Sequence, residues 1–135
     1  GVRFVPYSFI DTASSKLLTS ESFLQSIDKK WTLTWGSYDG TGDPIKLTIP
    51  AYLKTFVYNA DYLNAEATAF DAVIKQGSSI NNIKDIYPNH HYLDYHFSGF
   101  DQAVAGMDWT SLRLVFEKQD GQYFIVAIIH DQWTI

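Results

Sequence analysis

The sequence predicts an α+β fold: a curved antiparallel sheet packed against a few helices and ending in a long C-terminal β-hairpin. Three observations predict it. Two strand-like runs within residues 111–135 flank Asp120-Gly121, a dipeptide suited to a tight turn with positive φ at its central positions. Short alternating runs recur upstream, at residues 31–35 and 91–97. Two further segments carry apolar residues at helical spacing, each behind a threonine that can cap it.

In chain order, residues 3–9 read as a short edge strand or extended segment because Pro6 interrupts them. Residues 11–16 form a polar turn. Thr19-Ser20-Glu21 supplies N-cap chemistry ahead of Phe23, Leu24 and Ile27, a short amphipathic helix. Trp31, Leu33 and Trp35 alternate with Thr32 and Thr34 as a strand, and residues 36–44 make a turn-rich loop. Thr48 caps a second helix with Pro50 in its first turn; Ile49, Tyr52, Leu53, Phe56 and Val57 fall on one stripe and read as core. Residues 65–76 are ambiguous, since the alanines favour helix while Phe70, Ala72 and Ile74 alternate as in a strand. Residues 78–89 read as a polar connection. The strand at 91–97 sets Leu93, Tyr95 and Phe97 on one side and Tyr92, Asp94 and His96 on the other.

A two-residue turn at Asp120-Gly121 fixes the closing hairpin residue by residue. Gln119 faces Gln122, Phe116 faces Ile125, Leu114 faces Ala127 and Leu112 faces Ile129. That apolar face calls for cover, most simply by helices. The opposite face pairs Glu117 with Phe124, Val115 with Val126, Arg113 with Ile128 and Ser111 with His130. Arg113 and His130 thereby become diagonal neighbours on one side of the sheet. The uncharged run from Tyr123 to Ile129 reads as a central strand.

Composition narrows the function. The 135 residues suit one domain with its own core; 46% are hydrophobic, 19% are charged, and there are nine Phe, nine Tyr and four Trp. A net charge of −5 without a basic cluster argues against nucleic-acid partners and against anionic membrane surfaces. With no cysteine, disulfides, thiol catalysis and cysteine-ligated zinc are excluded. No run is long enough for a membrane span, and no signal peptide is visible. The start at Gly1 suggests excision from something longer.

Several motifs are set aside. Asp39, Gly40, Gly42 and Asp43 lack the alternating oxygen ligands and terminal bidentate Glu of a calcium loop, and no phosphate-loop lysine follows. His90, His91, His96 and His130 do not converge by spacing, so neither metal nor cofactor is expected. Ser20, Ser22 and Ser26 read as helix cap and surface. The constellation that remains is Asp94, His96, Arg113 and His130, which meet if the 91–97 strand lies beside the hairpin.

The strings GVRFVPYSFID (1–11), WGSYDGTGDPIKLT (35–48), FVYNADYLNA (56–65), INNIKDIYP (80–88), GMDWTSLRLVFE (106–117) and IIHDQWTI (128–135) resemble an uncharacterised bacterial domain of the nuclear transport factor 2-like superfamily. The resemblance implies a cone-like fold, a strand at about residues 68–76, and an extracytoplasmic setting in the cell envelope or outside it. It also implies a long helix closing the cone, which would lie ahead of Arg3.

Three readings follow. The first is a non-catalytic domain binding a small molecule, a glycan or a neighbouring domain, with Arg113, His130, Asp94, His96 and Trp133 as ligand contacts and Arg113 pairing an anionic group. The second, from the superfamily's isomerases and dehydratases, is a small enzyme with Asp94 as general base and His130 or Tyr95 as electrophilic donor. The third is an assembly module that forms a homodimer through an exposed sheet face.

Overall fold

The computed structural model describes residues 1–135. Its strands are β1 (Val2–Val5), β2 (Lys16–Leu18), β3 (Thr32–Ser37), β4 (Pro44–Thr48), β5 (Ala67–Phe70), β6 (His91–Phe97), β7 (Thr110–Gln119) and β8 (Gln122–Gln132); its α-helices are α1 (Ser20–Asp28), α2 (Ile49–Tyr52) and α3 (Ile83–Ile86). The class is α+β. Six strands form an open sheet in the order β2-β1-β8-β7-β6-β5, and β3-β4 form a separate hairpin. All neighbours are antiparallel except β1 and β8, which run parallel and join the two ends of the chain.

Local chemistry explains most boundaries. Thr19 and Ser22 cap α1 reciprocally, each side chain accepting from the other's backbone N–H. Only Phe23 of the expected apolar stripe packs inward; Leu24 and Ile27 stay exposed. Thr48 caps α2, which opens into one wider turn over Leu53–Val57 where the Tyr58 N–H reaches back to Leu53 O. The Ile49, Tyr52 and Phe56 stripe is buried as expected.

β1 is an inner strand, not an edge: Pro6 falls just past its end and takes no donor from the ladder. In the ambiguous segment, β5 occupies only 67–70. Asp71 then takes a left-handed φ of 55°, which ends the strand, and its carboxylate accepts the Tyr92 N–H. β2, β4 and the single turn of α3 are too short to show periodicity; α3 lies in the 78–89 connection, and β2 and β4 begin at the last residues of the 11–16 turn and the 36–44 loop.

Two cores sit on opposite faces of the sheet. On one face, α2 and the β3-β4 hairpin press Trp35, Ile45, Ile49, Tyr52 and Phe56 onto Phe4, Leu18 and Ile128. Trp35 and Tyr52 stack with ring centroids 3.9 Å apart. On the other, Ile10 from the loop after β1 and Ile83 from α3 cover Val5, Tyr92, Val115, Ala127 and Ile129. The amide of Asn82, just ahead of α3, fastens the two segments together, accepting the Ile10 N–H at 2.8 Å and donating to Ile10 O at 3.0 Å.

The hairpin starts as the sequence predicts and then departs from it. Asp120 and Gly121 take φ of 50° and 79°, and Gln119–Gln122, Glu117–Phe124 and Phe116–Ile125 pair as expected. A β-bulge then leaves Val126 without an opposite residue. Beyond it the pairs are Val115–Ala127, Leu114–Ile128, Arg113–Ile129, Leu112–His130 and Ser111–Asp131. Because side chains alternate, one inserted residue moves the rest of β8 to the other face. His130 therefore lies on the Leu112 side, and the expectation that Arg113 and His130 share a face is overturned.

α1 and α2 do lie on the Leu112 side, but they cover only its β2-β1-β8 part, and α3 packs on the opposite face through Ile83 and Ile86. Over β5, β6 and β7 the Leu112 side has no helix or second sheet on it beyond the Tyr62 turn at Phe97 and Thr110. Phe70 is 63% exposed and Ile125 39% exposed, with Leu93, Leu114 and Phe116 half-buried between them.

Candidate functional site

Strand register delivers the first group. Asp94 on β6 stands directly opposite Arg113 on β7, and Asp131 lies on the same side, two residues past Arg113's partner Ile129. The three side chains are sealed from solvent, at 0%, 0% and 1% exposure. Arg113 Nη1 lies 2.9 Å from Asp131 Oδ2, out of line for a hydrogen bond, and Nε lies 3.5 Å from Asp94 Oδ1. Nη1 donates to Ser8 Oγ at 3.3 Å and Nη2 to Lys75 O at 3.0 Å. The second oxygen of Asp94 accepts the Ile74 N–H and that of Asp131 the Gln132 N–H.

This is a buried triad of one cation between two anions. Burial pushes both carboxyls above the usual carboxylate range, and the Arg113 charge opposes that rise. The guanidinium is spent on protein groups and lines none of the four principal clefts. It is therefore not placed to receive an external anion. Its visible work is to fasten the Ser8 loop and the 74–75 segment to the sheet.

The other expected residues scatter. His96 joins the triad's face, where its Nδ1 meets Ser111 Oγ at 2.8 Å, and burial lowers its pKa. His130 is on the opposite face, edge-on to Phe56 at 5.6 Å and bonded through Nε2 to Gln132 Oε1 at 2.8 Å. Burial pulls its pKa down to about 4, so the ring is neutral at pH 7. Tyr95 sits half-buried on that same face, away from Asp94. Trp133 lines a separate cleft with Phe100 and Met107. Asp94 thus has neither His130 nor Tyr95 beside it. No group of three or more His, Asp or Glu side chains gathers as a metal site.

Reasoning from sequence missed Asp131 and Ser8. The signal for Asp131 was adjacency: a one-residue slip in the hairpin exchanges it for His130, and a buried guanidinium needs a carboxylate more than an imidazole.

The second candidate region is apolar. A groove of about 580 Å³ runs between α1, the start of β1 and the outer end of the closing hairpin, lined by Phe4, Leu18, Phe23, Leu53, Ile125 and Ile128. Glu117 and Gln119 stand at its rim, with Gln119 donating to the Glu117 carboxylate at 3.0 Å. Through Ile125 and Ile128 it continues onto the uncovered face that carries Leu114, Phe116, Leu93 and Phe70. No family model, curated protein or solved structure matches the chain.

Proposed function

We propose that this chain is a non-catalytic binding and assembly domain that pairs with a second copy of itself through the uncovered face of its sheet. The nuclear transport factor 2-like resemblance supplies its extracytoplasmic setting. The observation that carries the assembly reading is the face itself. Its open part, the row Phe70–Leu93–Leu114 and the next row His91–Phe116–Ile125, contains no Lys, Arg, Asp or Glu, whereas Leu112 and His130 in the row beyond are already buried by the chain itself. In a protein of net charge −5, two such faces can approach without like-charge repulsion. An apolar sheet surface left open by its own chain is the usual mark of an interaction site, and a two-fold pairing would bury it on both copies at once.

The groove beside this face provides for a small apolar ligand, its size falling within that of ordinary ligand clefts. An anion held by Arg113 and proton transfer by Asp94 both need access that the buried triad denies.

Sedimentation equilibrium of the purified chain over a wide dilution range tests the reading. The expected result is reversible dimerisation that is abolished in the Leu93→Lys/Leu114→Lys variant, with its circular dichroism unchanged. A wild-type chain that stays monomeric throughout, or a variant that dimerises as well as wild type, would overturn it.

A further inference from the structure

Of the five side chains that the sequence offers as ligand contacts, Asp94, His96, Arg113 and His130 are buried and Trp133 alone is exposed. It lines a cleft of about 390 Å³ together with Phe100 and Met107, which are exposed as well. The cleft lies where β7 begins and β8 ends, in the row Thr110–Gln132 beyond Leu112 and His130. None of its residues belongs to the two open rows proposed for pairing.

The lining is held by the chain behind it. Next to Trp133, Thr134 is buried with its Oγ1 at 2.6 Å from Ser78 Oγ, and the Ile135 N–H reaches Asp39 Oδ2 at 3.0 Å. The exposed indole thus stands on a fixed backbone. Phe100 is fixed through its N–H, which Asp108 Oδ2 accepts at 2.9 Å together with that of Asp101. Two carboxamides complete the walls. Gln132 Oε1 accepts from His130 Nε2 at 2.8 Å, which leaves the Gln132 amide hydrogens for a ligand. Asn59 accepts from the Tyr62 hydroxyl at 2.9 Å and donates to Thr110 Oγ1 at 3.2 Å, with one amide hydrogen to spare.

The charges disfavour ions of either sign. No Lys, Arg or His lines the cleft, and Asp108 is its one ionisable side chain. An anion would meet that carboxylate with no countercharge beside it. A cation would find no open oxygen on it, because Oδ2 already takes two N–H groups and Oδ1 is sealed from solvent. What remains is exposed aromatic surface next to uncharged, preorganised hydrogen-bond donors.

We infer that this cleft binds a neutral sugar, with Trp133 and Phe100 against the C–H faces of the ring and the Asn59 and Gln132 amides donating to its hydroxyls. A pyranose has both kinds of surface in one rigid body: C–H faces that suit an aromatic ring, and hydroxyls that accept as well as donate. A wholly apolar molecule would cover the two amides without pairing them. The inference does not depend on dimerisation, and the two can fail separately.

Titrating the full chain with cellobiose, maltose and chitobiose, followed by NMR of backbone and side-chain N–H groups, tests it. Glucuronate and glucosamine serve as the charged comparisons. Saturable shifts of the Trp133 indole and of the Asn59 and Gln132 amides are expected with at least one neutral sugar, and weaker ones with the charged pair. Trp133→Ala should weaken binding roughly tenfold, and Trp133→Tyr should retain part of the affinity because a stacking face is kept. Phe100→Ala, at another exposed position, supplies the same measurement should the Trp133→Ala chain not fold. No saturable shift with any of the three neutral sugars, or shifts centred elsewhere, would overturn the site. So would full affinity in folded Trp133→Ala, or in Phe100→Ala where that variant replaces it. Glucuronate or glucosamine binding more tightly than every neutral sugar would overturn the assignment of a neutral ligand.

Discussion

A guanidinium sealed between two carboxylates leaves a large penalty if it is removed. Arg113→Ala would strand Asp94 and Asp131 in the interior and free the Ser8 and Lys75 contacts. Truncating one partner of a buried ion pair costs about 3–5 kcal/mol, so the variant is expected to unfold at much lower urea than wild type. An Arg113→Ala protein of near wild-type stability would show that the triad does not hold the fold. His130 gives a pH signature of definite sign. Its folded pKa of about 4 lies below the unfolded value near 6.5, so its contribution is complete above 6.5 and is lost as pH falls toward 4. The loss amounts to about 3 kcal/mol at 1.36 kcal/mol per pKa unit. His96 is shifted in the same direction. Asp94 and Asp131 act oppositely: with raised folded values, their stabilisation is full below the unfolded pKa and fades as pH rises through the folded one. Comparing urea unfolding at pH 7 and pH 4 isolates the histidine, because His130→Gln should lose less stability on acidification than wild type. Equal losses in both would refute the assignment.

Among the elements, the β7-β8 hairpin decides most, and its bulge decides more than its turn. Gly121 sits at φ 79°, so Gly121→Ala should cost about 1–2 kcal/mol without altering the structure elsewhere. Deleting Val126 should do something different in kind. It would restore an unbulged ladder, take Asp131 off Arg113's side and bring His130 onto it. The expected result is loss of cooperative unfolding and of near-ultraviolet circular dichroism; a native-like spectrum in the deletion variant would count against the bulge as the register lock. The contrast shows what was legible in the sequence. The turn was, because Asp-Gly answers a local steric demand. The alternation at residues 91–97 was too, and with it the placing of Asp94 beside Arg113. The bulge was not: no residue of Tyr123 to Ile129 marks it. β5 stayed undecided, since alanine propensity is weak and pairing with β6 overrode it.

At the scale of the molecule, the first and last strands are joined inside the open sheet by the pairing of Arg3, Phe4 and Val5 with Ala127, Ile128 and Ile129. Phe4 belongs to one core and Val5 to the other, so removing residues 1–5 damages both faces together. Losing a buried Phe alone costs about 3–5 kcal/mol against a typical total of 5–15 kcal/mol, so the truncated chain is expected to be unfolded, with collapsed amide dispersion in its NMR spectrum. A dispersed spectrum would show that β1 is dispensable. The same pairing also governs the response to tension. β1 leads from the chain's start and β8 to its end, and they run parallel, so pulling the two ends apart slides one strand along the other. All hydrogen bonds of the pair then carry the load together, whereas traction across the β7-β8 turn would peel its ladder one bond at a time. Strung between neighbours by its two ends, the domain would act as a rigid link rather than an extensible one.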